Sequence, residues 1–141
     1  IEGQWQLNAQ SSLQAWYTWV DGKISTVTNG KDTSYNNLLR RPRSSAGIQG
    51  STRIGKKLLL NSNLQWNGKR QDAYYDSNSF STVNVTLDAY LLWNLYAEYG
   101  FHNNKLKVFA DLRNITNSSY TEIAGFNTAR FNAYTGVRFS F

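Results

Sequence analysis

Apolar and polar side chains alternate regularly over residues 131–141, and this pattern limits the fold more than any other feature of the sequence. A repeat of two residues places every second side chain on the same face of a β-strand. The same alternation recurs in six earlier segments, at 2–7, 13–19, 45–54, 58–66, 91–99 and 106–112. Helical periodicity is almost absent. We therefore predict an all-β chain with about seven antiparallel strands.

The segments between these strands alternate in length. Short connections fall at 8–12, 55–57 and 102–105, and long ones at 21–42, 71–86 and 114–130. Outer-membrane β-barrels have short periplasmic turns and long external loops. Strands of about ten residues cross a bilayer when they are tilted by about 45°. The pattern predicts an antiparallel up-and-down transmembrane β-barrel segment with the three long connections outside the cell.

Aromatic side chains make up 15% of the chain and favour a membrane location for the apolar face. Such rings collect at membrane interfaces, where one part of the ring is dry and the other is wet. The aromatic residues of the apolar face, most of them predicted near strand ends, are Trp5, Trp19, Trp66, Trp93, Tyr99, Phe139 and Phe141. We expect them to contribute to the two aromatic girdles of a barrel.

Composition excludes several kinds of site. The chain has no Cys and a single histidine, His102, so disulfides, thiolate metal sites and multi-histidine metal sites are excluded. The net charge of +6 is scattered over strand edges, and we expect no nucleic-acid partner. Glu98 and Asp111 could face each other on adjacent strands, but no nucleophile or oxyanion donor accompanies them. We therefore expect no enzyme activity, no cofactor and no metal, and a solvated His102 in a short turn.

The end of the chain carries a second signal. Tyr134, Gly136, Phe139 and Phe141 have a spacing that resembles the C-terminal assembly signal of bacterial outer-membrane barrels. That signal is read by the machinery that inserts barrels into the membrane. We predict that the last strand runs inward and that Phe141 lies at the periplasmic rim.

Five stretches, in their order and spacing, resemble the C-terminal part of TonB-dependent outer-membrane receptors. They are IEG at 1–3, LLRRPR at 38–43, LDAYLLWNLYA at 87–97, NITNSSY at 114–120 with GFN at 125–127, and the terminal strand. Within that family the vitamin B12 (cobalamin) receptors are the most similar, through 38–41, 74–76 and 120–126. The NITN variant indicates a Bacteroidetes-type member. Ala129 departs from the family, which usually has Gly before Arg, so no contact is transferred through that loop.

The resemblance implies a barrel of about 22 strands with an N-terminal plug. Residues 1–141 would form one incomplete domain, because seven strands leave two unpaired edges that lipid cannot cover. The remaining strands and the plug would come from the same or another chain, and TonB would act through the plug region, which nothing here resembles. We expect the chain to begin inside a longer precursor. The implied place is the bacterial outer membrane.

The function implied by the resemblance is active import of a large chelate captured by external loops: cobalamin, a siderophore or haem. Candidate ligand-binding residues lie in the three long connections: Tyr35, Asn36 and Asn37, then Tyr74, Tyr75 and Asp76, then Phe126, Asn127 and Arg130. Paired Tyr side chains offer flat contact at low entropic cost. The alternative for Tyr74 and Tyr75 is a place in the external girdle. We expect Asp72 and Asp76 to be solvated loop charges rather than Ca²⁺ ligands.

Other charged and polar residues are predicted to contact the surroundings of the barrel. Arg40, Arg41 and Arg43 are expected to meet lipopolysaccharide phosphates or to extend along the membrane interface. A surface lipoprotein is a further candidate partner. The residues expected to face the lumen and to bond with one another and with the plug are Asn61, Asn63, Gln65, Asn94, Glu98, Asp111 and Arg113.

Two other interpretations remain open at this point. The first is a small self-contained or oligomeric outer-membrane barrel that serves as an adhesin, an anchor or a lipid-modifying enzyme; a self-contained one needs an eighth strand. The second is a soluble aromatic-rich β-domain that binds single-stranded nucleic acid or glycan. Stacking aromatics on a polar face would favour it, whereas here they lie mainly on the apolar face.

Overall fold

The computed structural model describes residues 1–35 and 38–141 of the chain. It contains eleven β-strands, namely β1 Glu2–Asn8, β2 Ser11–Trp19, β3 Ile24–Thr28, β4 Lys31–Tyr35, β5 Ser44–Ile54, β6 Leu58–Asn67, β7 Arg70–Asp76, β8 Ser81–Leu87, β9 Tyr90–Phe101, β10 Leu106–Arg113 and β11 Asn132–Phe139. None of the described residues lies in a helix long and apolar enough to cross a membrane.

Seven of the strands form one antiparallel sheet in the order β1-β2-β5-β6-β9-β10-β11. Each strand pairs with the next long strand along the chain, which confirms the up-and-down arrangement predicted from the alternation. The sheet is open in the described part of the chain, since β1 and β11 form its two edges. The connections at 9–10, 55–57 and 102–105 lie at one end, called here the turn end. Those at 20–43, 68–89 and 114–131 lie at the loop end.

Two of the long connections contain strands that the sequence interpretation treated as loop. β3 and β4 form a hairpin in the first connection, and β7 and β8 form another in the second. Asn29 and Gly30 close the first hairpin with positive φ values of 52° and 74°. An Asn-Gly pair favours a tight hairpin turn, because both residues tolerate this conformation. That signal was present in the sequence. The prediction that 21–42 and 71–86 are plain loops was therefore wrong.

The sheet has a polar face and an apolar face, as the alternation predicts. Neighbouring strands are in register so that like residues lie side by side, as in the polar row Gln49, Asn63 and Asn94. The apolar face carries aromatic rings toward both ends, with Trp19 and Trp66 near the loop end and Tyr99 near the turn end. Trp5 and Trp93 lie inside their strands instead. Trp93 Nε1 donates a 3.0 Å hydrogen bond to Ser62 Oγ, so its polar edge is satisfied on the apolar face.

This apolar face is not covered by a second layer. Leu87 is the only apolar side chain that is buried in the described residues. Trp19, Val137 and Phe139 are 59%, 56% and 66% exposed. A soluble domain buries one face of its sheet against another element. The sheet therefore has no core of its own, and its apolar face requires apolar surroundings.

Glycine and aromatic residues are matched across strands on the polar face. A Cβ added to Gly47 would overlap the ring of Trp16 on β2, and one added to Gly136 would lie 2.6 Å from the ring of Phe109 on β10. Each ring therefore lies over a backbone position that has no side chain. The close contact fixes the two rings against the sheet, and at these positions the strand tolerates glycine alone.

Candidate functional site at the loop end

Asp72 joins the three long connections at the loop end of the sheet. It lies on β7 with a fully buried side chain. Its Oδ1 accepts hydrogen bonds of 2.8 Å from Arg40 Nε and from the backbone N–H of Ala73, and its Oδ2 accepts one of 2.7 Å from the N–H of Ala124. The expectation that Asp72 is a solvated loop charge was wrong. A buried carboxylate needs such partners, and here the tertiary structure supplies them.

The same contacts set the ionisation of Asp72. Burial by itself raises the pKa of the Asp72 carboxyl. The hydrogen bonds from Ala124, Arg40 and Ala73 favour the charged form and outweigh burial, so the pKa lies below its usual value. A backbone hydrogen bond of 2.7 Å, from the Arg40 N–H to the Gln71 carbonyl, also joins the first connection to the second. The carboxylate stays charged at neutral pH and holds the connections together.

Arg70 forms a second junction beside the first. The residue is only 5% exposed, and its Nη2 donates to the backbone carbonyl of Thr121 in the third connection. Its guanidinium carbon lies 4.8 Å from the centre of the Tyr90 ring. Tyr90 in turn lies 4.5 Å from the Tyr120 ring and donates a 3.1 Å hydrogen bond to Glu122. Cation–π contact and a charged hydrogen bond thus position the third connection over the sheet.

A cavity of about 400 Å³ lies beside this cluster at the loop end of the polar face. Its lining includes Arg40, Gln65, Asn67, Arg70, Tyr90 and Glu122. Asn67 and Tyr90 are paired across β6 and β9, so the cavity opens on the polar side of the sheet. Charged, amide and aromatic groups converge there from four parts of the sequence, and convergent polar groups of this kind fix the orientation of a ligand in a binding site.

A more basic pocket of about 280 Å³ lies on the other side of Arg70 and includes Arg41, Arg43 and Lys69 in its lining. Arg43 Nη2 forms a 2.8 Å ion pair with Asp21, and both side chains are largely exposed. The hydrogen bond from Arg43 holds the pKa of Asp21 below its usual value. Arg40 faces Asp72 instead. The predicted lipopolysaccharide contact at Arg40, Arg41 and Arg43 stays a prediction.

The third connection is organised by Asn114, which is buried and has a positive φ of 50°. Its backbone N–H donates 2.9 Å to Asn94 Oδ1 on β9. Its side chain closes a turn with Ser118: Nδ2 donates a 2.9 Å hydrogen bond to the Ser118 carbonyl, and Oδ1 accepts one of 3.0 Å from the Ser118 N–H. Asn tolerates the left-handed conformation and bonds its own backbone, which explains the first residue of the NITN stretch.

The predicted ligand-binding residues remain spread over the loop end. Tyr35 ends β4, whereas Asn36 and Asn37 lie outside the described residues. Tyr74 and Tyr75 are adjacent on β7, and 43% and 64% exposed. Being successive strand residues, they point to opposite faces of the hairpin, so they do not form one flat pair. Phe126 is 68% exposed, and Asn127 and Arg130 are exposed as well. The sequence interpretation missed Arg70 and Tyr90, because Arg70 lies at a strand edge and looks like one of the scattered charges there.

The predicted lumen residues lie on the polar face of the sheet as expected. Glu98 is buried and pairs with Lys107 Nζ at 2.8 Å, with Arg138 at 3.6 Å and with the Tyr96 hydroxyl at 3.0 Å. Asp111 pairs with Arg113 at 2.9 Å. Both carboxylates are therefore paired with Lys or Arg side chains. His102 is exposed at the turn end, as predicted.

The residues of the predicted assembly signal lie along and beyond β11. Tyr134 faces the polar side, where Arg113 lies 5.1 Å from its ring centre. Phe139 ends the strand, and Phe141 is fully exposed beyond it. The alternation was predicted to continue as strand to residue 141, but β11 ends two residues earlier.

The chain is similar to known proteins in structure. No protein family and no curated protein matches the chain in sequence. A solved complex of FpvAI with pyocin S2 matches over 99% of the chain, with a TM-score of 0.79 and 18% identity. FpvA of P. aeruginosa bound to heterologous pyoverdines matches over 99%, with a TM-score of 0.77 and 18% identity.

The ferripyoverdine receptor of the outer membrane of Pseudomonas aeruginosa, bound to ferripyoverdine, matches over 98% of the chain, with a TM-score of 0.74 and 18% identity. The chain spans less than a fifth of each of these proteins, at 18%, 19% and 18% of their lengths. The likeness shows that the described residues have the fold of one portion of a large β-barrel. The predicted fold class is confirmed.

Proposed function

We propose that this chain is the C-terminal barrel portion of a TonB-dependent import receptor in the bacterial outer membrane. The observation that carries the proposal is the single sheet with one uncovered apolar face, aromatic rings toward both of its ends, and a polar face of amides and ion pairs. Lipid would cover the first face, and the interior of the barrel would lie against the second. The fold shared with an outer-membrane receptor of Pseudomonas aeruginosa supports it.

The loop end would face the outside of the cell and capture a large chelate. Two of the solved structures of similar fold are bound to pyoverdines, which favours an iron-carrying siderophore. Cobalamin and haem are the other ligands of this class that the sequence suggests. Capture would involve Tyr74, Tyr75 and Phe126 at the exposed surface. The mechanism needs no covalent chemistry: binding at the loop end precedes rearrangement of a plug, driven through TonB from the inner membrane.

The unpaired edges of the sheet separate this proposal from a self-contained small barrel. Within residues 1–35 and 38–141, β1 and β11 each pair on one side only. Each free backbone group in lipid costs about as much as a lost hydrogen bond or more, on the order of several kcal/mol. Further strands must therefore meet both edges. The intact mass of the native protein, extracted from its own membrane, tests this directly. A mass far above 16.1 kDa supports the receptor, whereas 16.1 kDa would indicate a subunit of an oligomeric barrel.

The orientation is tested by labelling on whole cells. The chain has no Cys, so single substitutions mark chosen positions against an unsubstituted control. S79C lies in the turn between β7 and β8 at the loop end, and K56C lies at the turn end. We expect a membrane-impermeant maleimide to label S79C on intact cells and K56C only after permeabilisation. The reverse pattern would contradict the proposal.

The ligand is tested by uptake in cells that depend on the full-length protein. Radiolabelled cobalamin and iron-loaded pyoverdine are supplied separately, with and without collapse of the proton gradient. Energy-dependent accumulation of either one identifies the chelate class, and a Y74A/Y75A double variant should reduce it while a T82A control does not. Accumulation of neither chelate would remove both from the proposal.

A further inference from the structure

The guanidinium of Arg70 is buried without a full set of partners. Nη2 donates to the Thr121 carbonyl, but Nη1 is buried and has no hydrogen-bond partner among residues 1–35 and 38–141. Within the same residues no carboxylate lies within ion-pair distance of Arg70, whereas neighbouring Arg40 has Asp72. An unmatched buried donor is costly, and a buried cation without a counter-charge is more so.

A cavity lies beside Arg70 on the polar side of the sheet. It has a volume of about 400 Å³, and Arg70, Arg40 and Tyr90 contribute to its wall. Gln65 and Asn67 add amide groups from the polar face of β6. Arg40 uses its Nε for Asp72, and its side chain is half-exposed and contributes to the lining of the cavity. The cavity therefore combines two guanidinium groups, two amides, one aromatic ring and the carboxylate of Glu122.

We infer that this cavity is a carboxylate-binding site in which the Arg70 and Arg40 guanidinium groups supply the positive charge. A planar carboxylate matches the guanidinium fork, and charge-assisted bonds of this type are stronger than neutral ones. The Tyr90 ring holds the guanidinium plane from one side. Glu122 is exposed and accepts from Tyr90, so solvent screens its charge at the rim. The inference rests on the proposed function, which makes the polar face the inside of a transport barrel.

The carboxylate has two sources: a small molecule that enters from the loop end, or an acidic side chain of the protein that fills the barrel. The probe for the first is 4-fluorobenzoate, followed by ¹⁹F NMR line width with the full-length protein in detergent. The neutral amide 4-fluorobenzamide is the matched control ligand. We expect saturable broadening with the acid alone. R70Q should weaken it by about tenfold or more, and R70K should weaken it as well because it keeps the charge and loses the fork. R41Q should bind as the unsubstituted protein does.

The second source, an acidic side chain inside the barrel, is tested by thermal unfolding of the same proteins. If an internal carboxylate occupies the site, the probe does not bind, and the difference in Tm between unsubstituted protein and R70Q is present at neutral pH. That difference then disappears below about pH 4, where the partner is protonated. A purely structural bond to the Thr121 carbonyl gives a difference that does not depend on pH. The inference is overturned if probe binding is independent of Arg70, or if the probe does not bind and the R70Q difference is the same at both pH values.

The labelling test on S79C and K56C separates this result from the proposed function. Correct labelling together with a negative result at Arg70 overturns the carboxylate site alone. Reversed labelling overturns the proposed orientation whatever the NMR result.

Discussion

Arg40 Nε donates a 2.8 Å hydrogen bond to the Asp72 carboxylate, and this bond joins two connections through residues that are 32 apart in sequence. The third connection reaches the same carboxylate through Ala124 N–H. One buried side chain therefore couples all three long connections at the loop end. Independent loops would each have to be ordered when a ligand binds, whereas coupled ones are ordered in advance and lose less entropy.

The coupling predicts the effect of D72N. The amide keeps the shape of the carboxylate but loses the charge that faces Arg40, and we expect the free energy of local opening at 38–41 and 120–124 to fall by about 1–3 kcal/mol. Hydrogen–deuterium exchange of the full-length protein measures it. D88N is the control, because the Asp88 side chain is 91% exposed. Equal exchange at 120–124 in D72N and unsubstituted protein would contradict the coupling.

The same carboxylate predicts a pH dependence. The pKa of Asp72 is lowered in the folded state, so its contribution is fully present above the ordinary value near 3.8 and is lost as the pH falls through the lowered value. We expect the Tm of unsubstituted protein to exceed that of D72N at pH 7 and the two to converge under acid conditions below 3.8. Other carboxyl groups cancel in this difference. A gap in Tm that stays constant would show that the charge of Asp72 contributes nothing.

Gly47 and Gly50 form a matched pair on β5. A Cβ at Gly47 would overlap the Trp16 ring, whereas one at Gly50 meets only Leu13 at 3.8 Å. We therefore expect G47V to lower the free energy of unfolding by about 1–3 kcal/mol through the displaced ring. G50A should change it by about 0.5 kcal/mol or less. Denaturant titration followed by tryptophan fluorescence tests both. Equal stabilities of the two variants would remove the role assigned to the Trp16 contact.

The position of Phe141 predicts that its loss affects assembly into the membrane but not the stability of the assembled protein. The residue is fully exposed beyond β11. Its deletion should therefore leave the Tm and ligand binding of the assembled protein unchanged while lowering the amount in the outer membrane. S140A is the neighbouring control. Quantitative blotting of membrane fractions measures the level, and a normal level in the deletion variant would contradict the assembly-signal interpretation.

The strands of the large sheet could be predicted because their physics is local. Leu91, Trp93 and Leu95 alternate with Leu92, Asn94 and Tyr96, and a strand places such residues on opposite faces whatever its neighbours are. Asn29 and Gly30 favour a hairpin turn, but the β3–β4 hairpin was not predicted. The reason is that the flanking residues are mostly polar and show no apolar alternation.

The alternation of apolar and polar residues by itself determined an all-β chain, the faces of its seven long strands and the order in which they connect. Only the tertiary structure decided the site at the loop end. Asp72, Arg40 and Ala124 are far apart in sequence, and nothing in their local pattern distinguishes a buried carboxylate from a solvated one. The reason is that burial and partner choice depend on contacts between distant segments, whereas the direction of a side chain from a strand depends on its immediate neighbours.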